Sequence, residues 1–258
     1  DVYKRQLSEL LPDSTQKYYI GADPAQGKGG DYSTAHILTL DDDGIPRIVG
    51  YYSSNTTEPV DFARDLDFIG RYFNTENTPA MIAVEDQGGQ GQLPINELHR
   101  NLNYPTAYVY RTTGRKKNSF SDRLFSFPMS GDRRRMIIDK LAEYLANANT
   151  ENPSLRGLHI ALLEELNQFV RQDLPGGGVK YAADVGCHDD LVMSLAITLW
   201  MVLENAEVSA PINQNSGQTV TVDLRKMREE RAKLLAQAEQ DQLDAWNNII
   251  YGGSGLEF

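Results

Sequence analysis

Residues 17–52 read KYYIGADPAQGKGGDYSTAHILTLDDDGIPRIVGYY, and the fold class follows from how this stretch is divided. Tyr18, Tyr19, Ile20 and Ala22 form one short apolar and aromatic run, and Ala35, Ile37, Leu38 and Leu40 form a second. Asp42-Asp43-Gly44 is a turn signal that leads into a third run at residues 46–52. Short runs rich in branched and aromatic side chains, punctuated by turn residues, predict an antiparallel meander of three strands.

Downstream the period changes. Thr57-Glu58-Pro59 is a helix-start signal, and Val60, Ala63, Leu66, Ile69, Tyr72 and Phe73 follow at helical spacing. Residues 80–84 are a compact apolar strand of the kind buried on both faces of a parallel sheet. A helix near residues 93–102 and a further strand at 106–110 come next. Helical spacing returns at residues 132–147, through Met136, Ile137, Leu141, Tyr144 and Leu145, and again at 161–170. Pro175-Gly176-Gly177-Gly178 reads as a flexible turn, and residues 190–204 are apolar on nearly every face, which predicts a helix buried in the core. The expected fold class is α/β: a mixed sheet, antiparallel meander plus parallel strands, flanked by helices, with a C-terminal helical tail.

The 258 residues, 40% hydrophobic and 24% charged, suffice for one sizeable core and exclude wholesale disorder. Composition divides them into an N-terminal linker (1–16), one α/β domain (17–205), a linker rich in Gln, Asn, Ser and Gly (206–222) and a charged, helix-favouring tail (223–258). The single cysteine, Cys187, has no partner within the chain, and no apolar leader opens it, so an intracellular protein is expected. The longest apolar run, residues 191–203, falls short of the roughly 18–20 residues that cross a bilayer.

Net charge is −11, which argues against a protein that grips nucleic acid by its overall field. The distribution is uneven, however. Residues 111–140 hold nine basic side chains, including Arg111, Arg115, Lys116, Lys117 and Arg123, against three acidic ones. Such a segment is either a solvated loop and helix start or a surface turned toward a polyanion.

Gly21 to Gly29 invites comparison with a phosphate-binding loop, and fails it. Five residues instead of four separate Gly21 from Gly27, Gly29 replaces the hydroxyl residue that follows the lysine, and a strand pattern follows where a helix should start. The acids are more informative. Asp23 closes the first run, Glu85 follows the buried run at 81–84, and Asp189 and Asp190 open the apolar helix. Each alone reads as a turn or cap residue. Three carboxylate positions at the ends of core elements are what two hard divalent cations about 4 Å apart require, because magnesium takes oxygen ligands.

With those residues in view, YYIGADPAQGKGGDYST (18–34), IAVEDQGGQG (82–91) and VGCHDDLVMSL (185–195) resemble the three acidic motifs of the nuclease domain of the large terminase subunit of tailed bacteriophages. The resemblance covers about residues 17–205. It implies a ribonuclease H-like domain and a metal-dependent endonuclease that cuts concatemeric double-stranded viral DNA during genome packaging. Mg2+ or Mn2+ would occupy a two-metal site on Asp23, Glu85 and one or both of Asp189 and Asp190. Asp190 is favoured, with Asp189 as the helix cap. Asp31 matches a further acid in phages of the T-even type. Implied partners are DNA, a packaging ATPase domain absent from this chain, the portal protein and the small terminase subunit, all in the host cytoplasm and without a membrane. Since no phosphate loop is present, the chain reads as an excised nuclease domain or a natural fragment.

Under this reading Arg111, Arg115, Lys116, Lys117 and Arg123 contact DNA phosphates without reading bases. His188 is a proton shuttle or, more simply, a packing residue, and Cys187 is a small buried residue, since magnesium disfavours sulfur. Three other readings remain open: a junction resolvase or transposase-type nuclease using the same acids, a non-catalytic portal-binding or DNA-binding module that binds without metal-dependent cutting, and an actin-like or sugar-kinase-like ATPase. The last needs a duplicated domain and a second Asp-Gly hairpin, neither of which the sequence displays.

Overall fold

The computed structural model describes residues 12–76, 78–87, 89, 91–106, 126–148, 150–173, 179–184 and 187–206. The meander forms as expected: β1 (Tyr19–Asp23), β2 (Ser33–Leu40) and β3 (Pro46–Ser54) pair antiparallel in succession. Helix α1 (Pro59–Tyr72) starts with proline at its first turn, where a missing N–H costs nothing. It carries the chain across one face, through a two-residue hairpin of β4 (Asn74–Thr75) and β5 (Thr78–Pro79). The chain then enters β6 (Met81–Asp86), which lies parallel to β1 with Ile20 opposite Ile82. A three-residue strand, β7 (Ser126–Pro128), extends the sheet beside β6, giving the order β3-β2-β1-β6-β7.

Alternation along the strands divides the core into two layers. Ile20, Ala22, Ile82 and Val84 face α1 and the short helix α2 (Gln92–Asn96), together with Phe62, Leu66, Ile95 and Leu98. Tyr19, Ala83 and Phe127 face the other way, onto α3 (Gly131–Leu145), α4 (Ile160–Gln168) and α5 (Asp190–Asn205). Almost every residue of α5 from Leu191 to Val202 is buried, as its sequence predicts. Its packing on the sheet depends on Gly21: a Cβ there would fall 2.5 Å from both the backbone nitrogen and Oγ1 of Thr198, whose hydroxyl accepts the Gly21 N–H at 2.9 Å. Among the described residues no helix is long and apolar enough to cross a membrane.

Two expectations change. The helix near 93–102 is α2 followed by a wider π-helical turn, Glu97–Asn101. The helix expected over 161–170 stops at Gln168, and Phe169–Asp173 becomes β8, paired antiparallel with β9 (Val179–Ala183). Phe169 and Val170 fit the helical period, yet they are aromatic and β-branched, and pairing with β9 stacks Phe169 on Tyr181. Of the strand expected at 106–110, Thr106 accepts a hydrogen bond from the Ile82 N–H at 3.3 Å, and residues 107–110 lie outside the described residues. The turn at 175–178, the linker after 206, the C-terminal helix and most of the N-terminal linker lie outside them too.

Candidate metal centre

Parallel pairing of β1 with β6 places Ala22 opposite Val84, so Asp23 and Glu85 follow side by side at the same edge of the sheet. The two-residue period that turns Gly21 and Ala83 toward α5 turns Asp23 and Glu85 that way as well. Helix α5 begins at this edge, bringing Asp189 and Asp190 to the same place. Three elements distant in sequence thus deliver four carboxylates to one end of the core.

The charges of these acids bear on one another's protonation. Burial, followed by the charges of Glu85 and Asp190, pushes Asp23 well above the usual carboxylate range, against the pull of Arg134. Burial pushes Glu85 up to about 7, opposed by Arg134 and by a hydrogen bond with Asp23. Asp190 rises to about 6 for the same first reason, moderated by the Tyr32 N–H. Carboxylates held this way, desolvated and mutually repelling, have their charged forms disfavoured unless a cation joins them.

Arg134, from α3, is the cation among the described residues that enters this cluster. Its Nη2 donates to Asp189 Oδ2 at 2.5 Å and its Nε donates to the Tyr181 carbonyl at 3.4 Å. Asp189 Oδ2 also accepts from the Ala183 N–H at 3.3 Å. Asp190 Oδ2 instead accepts from the Tyr32 N–H at 2.8 Å. The doublet is therefore divided between partners. Asp189 occupies the N-cap position of α5 but makes no side-chain cap bond, which corrects its expected role: the first turn is capped by Glu165 of α4, which accepts from the N–H groups of Leu191 and Val192. Burial pushes Glu165 up to about 7.

A divalent metal fits this donor set. Glu85 Oε2 is buried and has no hydrogen-bond partner, an atom whose desolvation a cation would offset. The candidate ligands are all hard oxygens, the type magnesium prefers. Among the described residues no three His, Cys, Asp or Glu side chains converge on one coordination point as the side chains stand. Asp189 is committed to Arg134, and Asp190 to Tyr32.

Asp31 stands at the rim, 83% exposed, with Oδ1 3.8 Å from His188 Nδ1, and that nitrogen lies 3.6 Å from Asp190 Oδ2. The His188 ring packs edge-on against Tyr32 at 5.2 Å. Ser33 and Ser194 are buried in structural bonds: Ser33 Oγ accepts from the Ala25 N–H, and Ser194 Oγ lies 2.9 Å from His36 Nδ1. The loop from Gly21 to Gly29 holds no phosphate cradle of the expected kind, because Gly21 lies inside β1 and β2 follows. Arg111, Arg115, Lys116, Lys117 and Arg123 lie outside the described residues. Sequence reasoning missed Arg134 as a member of the acid cluster and Glu165 as the cap. In sequence Arg134 is one basic residue among several in its segment, and nothing in the local pattern around Glu165 marks its distant partner.

No protein-family model matches the sequence. Solved structures do resemble this one. The large terminase nuclease from the thermophilic phage G20c, with bound magnesium, aligns over 80% of this chain and 91% of its own, at 21% identity and a TM-score of 0.55. The same nuclease with bound cobalt aligns over the same shares at 20% identity and a TM-score of 0.54. The large terminase nuclease domain of Thermus phage P74-26 aligns over 78% of this chain and 87% of its own, at 20% identity and a TM-score of 0.52. The chain thus has the ribonuclease H-like fold of these nucleases: a five-stranded mixed sheet flanked by helices.

Proposed function

We propose that this chain is the nuclease part of a phage large terminase subunit, a divalent-metal-dependent endonuclease that cuts double-stranded, concatemeric DNA during genome packaging. The observation that carries the reading is that β1, β6 and the start of α5 bring Asp23, Glu85 and Asp190 to one end of the core, within one another's electrostatic reach, with Glu85 Oε2 buried and unpaired. The fold is that of nucleases solved with bound magnesium and cobalt, which supports the same class of cofactor here.

Asp23, Glu85 and Asp190 are the residues that would hold two Mg2+ or Mn2+ ions, with Asp189 and Asp31 outside them. Bound there, such ions would lower the pKa of a water for attack on phosphorus and stabilise the leaving oxygen. The chain's own contribution is placement: β1 and β6 fix two carboxylates side by side, and the Tyr32 N–H holds one oxygen of Asp190. Arg134 holds Asp189 and supplies positive charge beside Asp23 and Glu85. Arg111, Arg115, Lys116, Lys117 and Arg123 would follow the DNA backbone, neutralising phosphates without reading sequence. The protein would act in the host cytoplasm beside a packaging ATPase domain, the portal protein and the small terminase subunit.

Incubating supercoiled plasmid with the chain and Mg2+, Mn2+ or EDTA tests the reading. Nicked and linear products are expected with either ion and not with EDTA. Cutting that persists in EDTA, or no cutting with either ion, rejects it.

A further inference from the structure

The acids expected from the sequence do not include Glu165, which reaches the start of α5 from α4. Its Oε2 accepts two hydrogen bonds, from the Leu191 N–H at 2.8 Å and the Val192 N–H at 3.2 Å. The first N–H groups of a helix have no partner within the helix. Here the residue at the N-cap does not serve them, since the Asp189 side chain bonds Arg134 and the Ala183 N–H. The same turn is tied down from the sheet, where Thr34 Oγ1 donates to the Asp190 carbonyl at 2.7 Å. Glu165 and Thr34 thus grip the turn bearing Asp190 from two sides, through its N–H groups and its carbonyl.

We propose that Glu165 is a positioning residue for Asp190: by capping α5 from outside the helix it fixes where the Asp190 carboxylate meets Asp23 and Glu85. The inference rests on the reading of Asp190 as a metal ligand. Both bonds go to a single oxygen, so what the site requires is one acceptor at that point. Glu165→Gln can supply it through the amide carbonyl. Glu165→Ala cannot, and Glu165→Asp keeps the charge but withdraws the oxygen by one methylene.

The test is calorimetric titration of Mn2+ alone into the metal-free full chain, with amide hydrogen exchange at Leu191 and Val192 measured alongside. Glu165→Ala is expected to weaken Mn2+ binding about 10-fold or more, the range usual for groups that orient ligands, and to lose protection at both amides. Glu165→Asp should do the same, which keeps the proposal testable if the alanine variant does not fold. Glu165→Gln should restore most of the affinity and the protection. Wild-type Mn2+ affinity in Glu165→Ala or Glu165→Asp, with protection lost, overturns the positioning role and leaves the metal site standing. Glu165→Gln as weak as the alanine variant overturns it in another way, making Glu165 an ion ligand or a needed charge. Asp190→Asn binding Mn2+ as tightly as the wild type overturns the metal-site reading itself, and the proposal with it.

Discussion

Asp189 and Asp190 are neighbours in sequence, yet their carboxylates serve different elements: Asp189 Oδ2 is held by Arg134 of α3, and Asp190 Oδ2 by the backbone N–H of Tyr32, just before β2. An aspartate already bonded to a guanidinium has less charge to offer an ion than one held by a single neutral N–H. The two substitutions to asparagine are therefore expected to differ. Asp190→Asn should abolish plasmid cutting to within background. Asp189→Asn should reduce it about 10-fold, as for a residue beyond the first ligands. Initial rates of nicking at saturating Mn2+ decide it, and equal losses would contradict the division of roles.

Metal-free, the acid cluster costs stability. Glu85, raised from 4.5 to about 7, binds its proton more tightly folded than unfolded. Its cost is therefore absent below about pH 4.5, grows as pH rises, and is complete above about 7. Asp23 shifts in the same direction. Asp23→Asn removes one repelling charge and should raise the melting temperature of the metal-free protein at pH 8. The same change should cancel the rise that Mn2+ gives the wild type. Thermal melts with EDTA and with Mn2+ supply both numbers, and a lower metal-free melting temperature in the variant would contradict the account.

Neutralising the basic stretch should act on DNA without touching the metal. Replacing Arg115, Lys116 and Lys117 with alanine is expected to weaken duplex binding and to flatten its salt dependence, by up to about 0.9 in log–log slope for each phosphate the variant no longer neutralises. Mn2+ affinity should hold, since the proposed metal ligands Asp23, Glu85 and Asp190 are all retained. Titration of a fluorescent duplex at several salt concentrations measures the slope, and an unchanged slope returns these residues to a solvated loop.

Which parts were legible in the sequence follows from how far each signal travels. Asp23, Glu85 and Asp190 stand at the ends of apolar runs, so the same patterning that predicts β1, β6 and α5 also points to the acids. Arg134 and Glu165 owe their places to packing among helices, and neither has a neighbour in sequence that reveals its partner. β7 is too short, at three residues, to show a period. The hairpin β8–β9 was hidden because Phe169 and Val170 satisfy the helical spacing of α4, while β8 itself, reading FVRQD, has no alternation to mark it as a strand. Only pairing with β9 separates strand from helix there.

A chain of neutral groups, buried at His36 and Ser194 and half-buried at His159, joins α4, β2 and α5, and its direction follows from the donors and acceptors. His159 caps α4, with Nδ1 accepting from the Leu162 N–H, so its own proton must sit on Nε2. That proton points at His36 Nε2, 2.9 Å away, which leaves His36 protonated on Nδ1 and donating to Ser194 Oγ, whose hydroxyl donates on to the Leu191 carbonyl. An added proton on either ring has no acceptor. Burial accordingly pushes His36 well below its ordinary value and His159 from 6.5 to about 4. The unfolded chain takes up these protons near pH 6.5, whereas folded His159 takes one up only near 4 and folded His36 only well below its ordinary value, so acid favours unfolding below pH 6.5. The stability is fully present above about pH 6.5, and for His159 the loss nears completion at about pH 4, at about 3 kcal/mol from ~1.4 kcal/mol per unit. Glu85, Glu165 and Asp190 titrate with the opposite sign, so the histidine contribution appears cleanly only as a difference between two proteins that share them. His159→Asn keeps a good N-cap acceptor for Leu162 and removes the titrating ring. It is expected to be less stable than the wild type at pH 7.5, because His36 loses its partner, and to close part or all of that gap by pH 4.5. Urea unfolding of both proteins at pH 7.5, 6, 5 and 4.5 measures the gap, and a gap constant with pH would show that His159 does not titrate as its burial requires.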